Sequence, residues 1–325
     1  MNEKSASNIT FGCLFISTSL DYVPFVRKAI IASCFVNGIM SVVAVLGNAI
    51  VLLTIYKTSS LHTPPNYLLF MMAIADCGVG LLAQPSSIVR NAIALRLKGP
   101  DGTDPSKALT DAFCVSGVAS EIFGAFFVYF SLLCLTAISF ERYLAIRLHL
   151  RYTQVVTLSR TLFLSAPILL VALAIVTGRL LSEGFGTSYS ILIVFGSLVF
   201  FACLAVIALC NIKIALALRR HTVQISSQTA QDMRTVLVMA KFRKSVVTML
   251  LVFVLFLTCF LPYGCVGLVQ MRLGGMTHQL YVAAFSTFPV LYLNSCLNPA
   301  LFCWRMKEIR RAAKSVIKGY CSNSL

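Results

Sequence analysis

Polar side chains interrupt two of the most apolar stretches of this chain. Asp76 lies inside one run, and Asn294, Ser295 and Asn298 lie inside another, beside Pro299. Polar side chains at membrane depth are unfavourable, because hydrocarbon offers no hydrogen bonds. Those that occur there usually serve a function. Asp76 must be paired, hydrated or protonated there, while Pro299 frees a backbone carbonyl and lets a helix bend. These residues indicate a functional polar centre at membrane depth.

The elements that must position these residues are membrane-spanning helices. The chain is 58% hydrophobic and only 12% charged, about half the charged share of a soluble domain. A helical span needs about 20 apolar residues, and no run alternates as a barrel strand would. The sequence therefore predicts an all-α membrane protein, a seven-transmembrane helix bundle over residues 30–302. The predicted spans are 30–56, 66–89, 113–140, 158–181, 188–217, 245–270 and 279–302.

Basic residues predict the orientation of the bundle. The net charge of +16 could indicate nucleic acid, but the basic residues lie in short segments between spans, so no nucleic-acid partner is expected. Of the 27 Lys and Arg residues, 18 fall on the side of the C-terminus and 9 on the other, which places the C-terminus in the cytoplasm. Residues 1–29 are then an extracellular N-terminus. Asn8 begins a glycosylation sequon there, and no cleavable signal peptide is recognisable.

The segment after the last span has its own pattern. Apolar Met306, Ile309, Ala313 and Ile317 recur at helical spacing among basic residues. This pattern predicts a short amphipathic helix against the lipid of the inner membrane surface, within a cytoplasmic tail of residues 303–325. Cys321 just beyond it is either a palmitoylation site or an unmodified thiol. The other cysteines have no metal-binding spacing, and most are expected to be small buried hydrophobes.

Five motifs in order on successive spans resemble those of rhodopsin-like (class A) G-protein-coupled receptors. They are Gly47-Asn48-Ala49-Ile50-Val51, Ala73-Ile74-Ala75-Asp76 with Pro85, Glu141-Arg142-Tyr143, Phe260-Leu261-Pro262, and Asn298-Pro299-Ala300-Leu301-Phe302. Within this family, the chain's motifs most resemble those of the adenosine and melanocortin receptors. The resemblance implies a plasma-membrane receptor, not an enzyme, that transduces binding of an extracellular ligand into activation of a heterotrimeric G protein. Arrestin is a further implied partner.

The resemblance also implies roles for the buried polar residues. Around Asp76 it would place Ser131, Asn294 and Asn298, with Asn48 and Ser295, as an allosteric sodium site, because oxygen ligands suit a hard cation. The alternative is a water-linked network around a protonated Asp76 with no ion. No other cofactor is expected, and no retinal, since Tyr292 stands where light-sensing opsins carry their lysine.

For G-protein coupling and switching the resemblance implies one set of residues. They are Glu141, Arg142, Tyr143, Leu150, Phe260, Pro262, Asn298, Pro299 and Phe302. Arg142 would pair with Glu141 at rest and meet the G protein when the sixth helix moves outward. Lys241-Phe242-Arg243-Lys244 at the foot of that helix lacks the usual acid partner for Arg142, which predicts raised ligand-independent signalling. Phe260, Phe302 and Asn211 depart from the family pattern, so a receptor relative that no longer signals is the alternative.

The outer halves of the spans suggest a ligand site without an obvious ligand. Gly124 stands where amine receptors have an aspartate, which excludes an amine salt bridge at that position. The expected ligand-binding residues are Glu121, Gly124, Ala125, Val128, Tyr263, Phe288 and Tyr292, with Phe123 and Phe127 either in the wall or in packing and lipid contacts. Glu121 could hold a cationic group or pair with Arg90. A lipid, a nucleoside and a peptide all stay open as ligands.

Two further expectations follow from the sequence. Cys114 resembles the outer cysteine of the third span, but residues 181–190 contain no cysteine, so we expect Cys114 to have no disulfide partner. A small transporter, the less favoured function, would show inverted repeats or several intramembrane charges along a path. We find neither in the sequence.

Overall fold

The computed structural model describes residues 20, 22–98, 106–148, 151–185, 189–227, 233–273 and 276–323, which are almost entirely α-helical and contain no β-strand. Within these described ranges, seven helices are long and apolar enough to cross a membrane. An eighth helix, Lys307–Asn323, follows them. The predicted fold is therefore confirmed. In chain order the first to seventh spans are Val23–Lys57, Pro64–Leu97, Lys107–Leu148, Leu158–Phe185, Tyr189–Ser227, Met233–Leu273 and His278–Arg305.

Most helices extend beyond the apolar runs that predict them. The first begins at Val23 rather than at residue 30, and the third continues to Leu148 rather than ending at residue 140. Hydropathy detects only the length that lies in hydrocarbon, whereas the ends of a helix depend on its first and last turns. Pro24 in the first turn of the first span is one such signal, since an amide donor is not needed there.

The second span is not a regular α-helix throughout. Pro64–Gly78 and Gln84–Leu97 are α-helical, and Val79–Ala83 between them forms a wide π-type turn. Pro85 lacks an amide hydrogen, so the carbonyl one turn before it loses its usual donor. Within the wide turn the Gly80 carbonyl accepts a hydrogen bond from the Ser41 hydroxyl of the first span, at 2.7 Å. The irregular turn is thus held by a neighbouring helix.

The bundle buries a core between its helices and exposes apolar side chains around it. A large cluster includes Leu132, Ile207 and Phe256, all fully buried. Phe35 and Phe163, in contrast, are 72% and 80% exposed on the outside of the bundle. Such exposure would be unfavourable in water and suits a hydrocarbon surrounding.

The eighth helix packs against the end of the bundle at which the seventh span finishes. The chain turns at Met306, whose amide donates to the Phe302 carbonyl at 2.8 Å. Ile309 and Ala313 are buried on one side of the new helix, and Ile309 joins the large apolar cluster. Lys314 lies exposed on the other side. The helix therefore has a buried apolar side and an exposed basic side, as the amphipathic pattern predicts.

Candidate functional sites

Asp76 is fully buried and is held by three side chains from two other spans. Its Oδ1 accepts hydrogen bonds from the hydroxyls of Ser131 and Ser295, at 3.3 and 2.8 Å. Its Oδ2 accepts one from Asn298 Nδ2, at 2.8 Å. The second, third and seventh spans therefore meet at one carboxylate. Hydrogen bonds to both oxygens favour the ionised form and offset part of the cost of its burial.

The remaining predicted neighbours of Asp76 are arranged differently. Asn48 is buried, but its Nδ2 donates to the carbonyls of Ala44 and Ser295, each at 2.9 Å, so it joins the first span to the seventh. The Oδ1 atoms of Asn294 and Asn298 are buried without a hydrogen-bond partner. Hydroxyl and amide oxygens around one carboxylate are the ligand types that a hard cation prefers. The residues present therefore fit sodium, and they also fit bound water.

Near the C-terminal end of the third span, Glu141 has two partners. Arg142 Nε lies 3.3 Å from Glu141 Oε2, and the arginine side chain is 25% exposed while the glutamate is buried. The Tyr152 hydroxyl donates to the other carboxylate oxygen. Tyr152 belongs to the short helix Tyr152–Val155 in the loop between the third and fourth spans. Burial, together with this bond, raises the pKa of Tyr152 above its ordinary value, so the phenol remains a donor at neutral pH.

Tyr143, which follows Glu141 and Arg142, contacts two further basic residues. Its hydroxyl accepts a hydrogen bond from Arg147 at 3.0 Å, and the Lys213 ammonium lies 5.4 Å from its ring centroid. Lys213 comes from the fifth span, so Tyr143 connects the third span to the fifth by a cation–π contact. This contact was not apparent from the sequence, because it depends on how the two helices face each other.

Aromatic rings pack around the positions that the sequence predicts to take part in switching. Phe260 stacks on Phe256 with ring centroids 3.9 Å apart, and Phe200 of the fifth span lies 5.9 Å from Phe260. Phe302 is buried in the same apolar cluster. These positions therefore act through packing and not through hydrogen bonds in this arrangement. Pro262 lies two residues after Phe260, inside the sixth helix, and does not end it.

Several of the residues predicted to bind a ligand lie around Tyr292, which is buried in the seventh span. A Cβ atom added to Gly124 would lie 2.9 Å from the Tyr292 hydroxyl, so the glycine makes room for the phenol. The ring of Phe288 lies 4.9 Å from that of Tyr292, and Tyr263 lies 5.6 Å from Phe288. Three aromatic rings thus form a continuous line from the third span toward the sixth.

The third-span wall of this site is partly buried. Phe123, Phe127 and Val128 pack against the cluster that contains Tyr292. Phe127 also fills the space over Gly78, where an added Cβ would lie 2.2 Å from its ring. Its packing role, left open by the sequence, is therefore established. Ala125 and Glu121 are half-buried on the same helix, and Glu121 has an interaction within the fold.

A family model described as "7 transmembrane receptor (rhodopsin family)" matches residues 47–302, which include the Asp76 network, the Glu141 group and the Tyr292 site. The chain belongs to this family. The receptor is therefore a G-protein-coupled receptor, with an extracellular ligand and a G protein as partners, and a multi-pass protein of the plasma membrane. Its family is one of receptors and not of enzymes.

Curated relatives of the receptor are similar over most of its length. The adenosine receptor A2a of Canis lupus familiaris is 25% identical over 311 residues, which cover 86% of this chain and 71% of the relative. The human adenosine receptor A2a is 24% identical over the same shares. The trace amine-associated receptor 8c of Mus musculus is 26% identical over 310 residues, 87% of this chain and 85% of the relative. These similarities do not identify the ligand.

One expectation about the receptor is wrong. Cys114 is disulfide-bonded, although residues 181–190 contain no cysteine. The nine cysteines Cys34, Cys77, Cys134, Cys203, Cys210, Cys259, Cys265, Cys296 and Cys303 are free. The partner therefore lies outside the residues whose side chains the structure describes. The sequence argument failed because it considered only the loop in which the family usually places the partner.

Sequence reasoning also missed a buried polar cluster between the outer halves of the first and second spans. Gln84 Nε2 donates to Asn37 Oδ1 at 3.4 Å, and Asn37 Nδ2 donates to Ser33 Oγ at 3.2 Å. Ser87 and Asn91, one and two turns after Gln84, are buried as well. Their spacing places them on one helix face, and this polar periodicity within an apolar run was the signal that could have revealed the cluster.

Three predicted residues are not placed by the structure. Asn8 and Leu150 lie outside the described residues, and Cys321 lies in the eighth helix with a side chain outside the description. Glycosylation, G-protein contact through Leu150 and palmitoylation therefore stay predictions.

Proposed function

We propose that the receptor activates its G protein through the cytoplasmic face around Arg142, and that a ligand bound near Tyr292 controls this face. The supporting observation is the ion pair between Arg142 and Glu141, which Tyr152 reinforces from the loop. A ligand that binds one of two conformations more tightly shifts the population toward it. The step proposed for the inner face is the release of Arg142 from Glu141, which makes its charge available to the G protein.

The test is nucleotide exchange on purified heterotrimeric G proteins in membranes that contain the receptor, without ligand. We expect exchange above the background, lost in Arg142→Ala and retained in Arg160→Ala. Arg160 is a suitable control because it is exposed at the cytoplasmic end of the fourth span and its side chain donates to two loop carbonyls, those of Gln154 and Val155. Surface labelling must show equal expression of the three proteins. Equal exchange by all three would contradict the proposed role of Arg142.

A second candidate function is that of a receptor relative that no longer signals. The observation that favours it is Asn211, which is buried in the fifth span with neither amide atom hydrogen-bonded. Phe260 and Phe302 likewise offer no polar atom for a rearranged network. Absence of exchange with every main class of G protein, at normal surface expression, would favour this candidate. The family match over residues 47–302 leaves the transporter alternative without support.

We further propose that Asp76 binds an allosteric sodium ion. The residues that would hold the ion are Asp76, Ser131, Asn294 and Asn298, whose oxygens suit a hard cation. The ion would stabilise the arrangement in which the second, third and seventh spans converge on Asp76. We expect sodium, compared with choline at equal ionic strength, to lower basal exchange, and Asp76→Asn to abolish the difference. No sodium effect on the unmodified receptor would favour the water-linked network around a protonated Asp76.

The orientation and the remaining partners are also proposals. We propose an extracellular N-terminus with a glycan on Asn8, a cytoplasmic C-terminus with a palmitate on Cys321, and contacts of the eighth helix with membrane lipid and of the activated face with arrestin. Treatment of intact cells with a glycosidase should shift the receptor on a gel, and Asn8→Gln should remove the shift. If the N-terminus is intracellular and carries no glycan, the proposed orientation of all seven spans is wrong.

The proposed ligand site consists of Glu121, Gly124, Ala125, Val128, Tyr263, Phe288 and Tyr292. The similar receptors are named for adenosine and for trace amines. An amine held by a carboxylate at residue 124 is excluded, since this residue is a glycine and the Tyr292 hydroxyl occupies the space beside it. We therefore propose a ligand whose recognition centres on Tyr292 rather than on an acid at residue 124.

A further inference from the structure

One backbone carbonyl in the wide turn of the second span needs a donor from outside its own helix. In this turn the Gln84 amide donates to the Val79 carbonyl, five residues back, instead of to Gly80, four residues back. At the same five-residue spacing, the donor for the Gly80 carbonyl would be Pro85, which has no amide hydrogen. An unbonded carbonyl is strongly unfavourable in hydrocarbon, so a neighbouring helix must supply the missing donor.

Ser41 of the first span supplies that donor. Its hydroxyl donates to the Gly80 carbonyl at 2.7 Å. The two helices are in direct contact at this point, since a Cβ atom added to Gly80 would lie 2.9 Å from the Ser41 carbonyl oxygen and 2.8 Å from Val45 Cγ2. Glycine thus brings the carbonyl within reach of the hydroxyl.

A continuous α-helix would move the missing bond to another carbonyl. In that arrangement the Gln84 amide returns to the Gly80 carbonyl. Leu81, four residues before Pro85, then loses its donor instead. Each arrangement therefore leaves one carbonyl for a neighbour to satisfy, and Ser41 satisfies the one that the wide turn leaves.

A second contact between the same two helices depends on the wide turn. Asn37 lies four residues before Ser41, on the same face of the first span, and its Oδ1 accepts a hydrogen bond from Gln84 Nε2 at 3.4 Å. Both of these amide side chains are fully buried. In a continuous α-helix the side chains after the turn would point in other directions, so Gln84 would lose Asn37.

We propose that Ser41 is a positioning residue for the second span. Its hydroxyl takes the place of the amide hydrogen that Pro85 lacks, and it thereby keeps the turn wide. The first span thus decides in which direction the residues after the turn point, while the residues before the turn keep their places. This role requires neither a ligand nor a G protein.

Distances between pairs of spin labels on the full chain test the position of the residues after the turn. One label replaces Phe163 of the fourth span, and the other replaces either Val89, after the turn, or Ile74, before it. All three side chains are exposed on the outside of the bundle, and the free thiols that take up label are replaced first. We expect Ser41→Ala to change the distance between residues 163 and 89 by several ångströms, since a helix with its side chains is about 10 Å across. The distance between residues 163 and 74 should stay the same.

Two serine variants are the controls for this measurement. Ser41→Thr keeps the hydroxyl, and Ser86→Ala removes a hydroxyl that donates to the Leu82 carbonyl of its own helix, at 2.6 Å. Both should leave the two distances unchanged. An unchanged distance to residue 89 in Ser41→Ala would overturn the proposal. Equal changes at residues 74 and 89 would overturn it as well, since the whole span would then have moved as one body.

Returning the missing amide hydrogen tests the chemical reason. In Pro85→Ala, residue 85 can itself donate to the Gly80 carbonyl, so the Ser41 hydroxyl should matter less. We expect Ser41→Ala to lower the midpoint of thermal unfolding by a few degrees in the unmodified receptor and by much less in Pro85→Ala. Equal losses in both backgrounds would contradict the proposal. If Ser41→Ala alone does not fold, the variant with both substitutions should fold, and failure of both would contradict the proposal too.

Discussion

Among the residues whose burial the structure describes, two acids are buried, Asp76 and Glu141, and they are held in opposite ways. The partners of Asp76 are the uncharged Ser131, Ser295 and Asn298, which come from two other spans. Glu141 is paired with the adjacent residue and with a tyrosine 11 residues away. Asp76 therefore depends on the arrangement of whole helices, whereas Glu141 depends on one helix end and the loop that follows it. A change at the first should affect the fold, and a change at the second should affect the signal.

The largest effect is expected for Asp76→Ala. The change leaves two hydroxyls and one amide without their acceptor, and a buried unsatisfied donor costs about 1–3 kcal/mol. We expect a marked loss of thermal stability in detergent. Asp76→Asn, which keeps the shape and one acceptor oxygen, should lose much less. Equal loss in both variants would show that the charge, and not the hydrogen-bond geometry, joins the three spans.

A smaller effect, on signalling rather than on stability, is expected for Glu141→Gln. The change keeps the side chain's shape and removes the attraction for Arg142. At a partly exposed pair this is worth about 1 kcal/mol or less, which corresponds to a severalfold change in a two-state population. We expect basal nucleotide exchange to rise severalfold, while thermal stability changes little. The reciprocal change, Phe242→Glu, adds an acid at the foot of the sixth helix and should lower basal exchange.

Tyr152→Phe should have the same sign as Glu141→Gln and a smaller size. It removes only the loop's hydrogen bond to Glu141 and leaves the ion pair with Arg142 in place. We expect about a twofold to threefold rise in basal exchange, in line with the modest net value of a single hydrogen bond. A rise as large as that of Glu141→Gln would place the control of Arg142 in the loop rather than in the ion pair.

The smallest effect is expected for Asn211→Leu, and it is a gain. Both polar atoms of the Asn211 amide are buried without partners, so an apolar side chain of similar size removes an unfavourable burial. We expect thermal stability to rise by about 1 kcal/mol or more. If it falls instead, the amide must bond to a water molecule or a neighbour. Such a bond would make this part of the inner half resemble the Asp76 centre.

The sequence predicted the parts of the receptor that the membrane itself dictates. Seven spans follow from apolar length alone, and the convergence of Ser131, Ser295 and Asn298 on Asp76 follows from the family resemblance. Contacts that depend on the rotation of one helix against another were not predictable. Asn48 donates to the seventh-span backbone rather than to the Asp76 carboxylate. The hydrogen bond between Gln84 and Asn37 belongs to no known sequence motif. The partner of Glu141 in the loop was missed for the same reason.

The wide turn at Val79–Ala83 has a consequence for which side chains of the second span face the inside of the bundle. A π-type turn accommodates one residue more than an α-helical turn, and one residue corresponds to about 100° of rotation in an α-helix. Asp76 lies before the turn and Arg90 after it. Deletion of one residue from this segment would therefore leave Asp76 in its network and swing the residues after the turn, Arg90 among them, around the axis of the second span. The extra residue of the wide turn thus sets the direction in which the side chains after the turn point, independently of those before it. One helix can therefore contribute to two sites whose faces would not align on a regular helix.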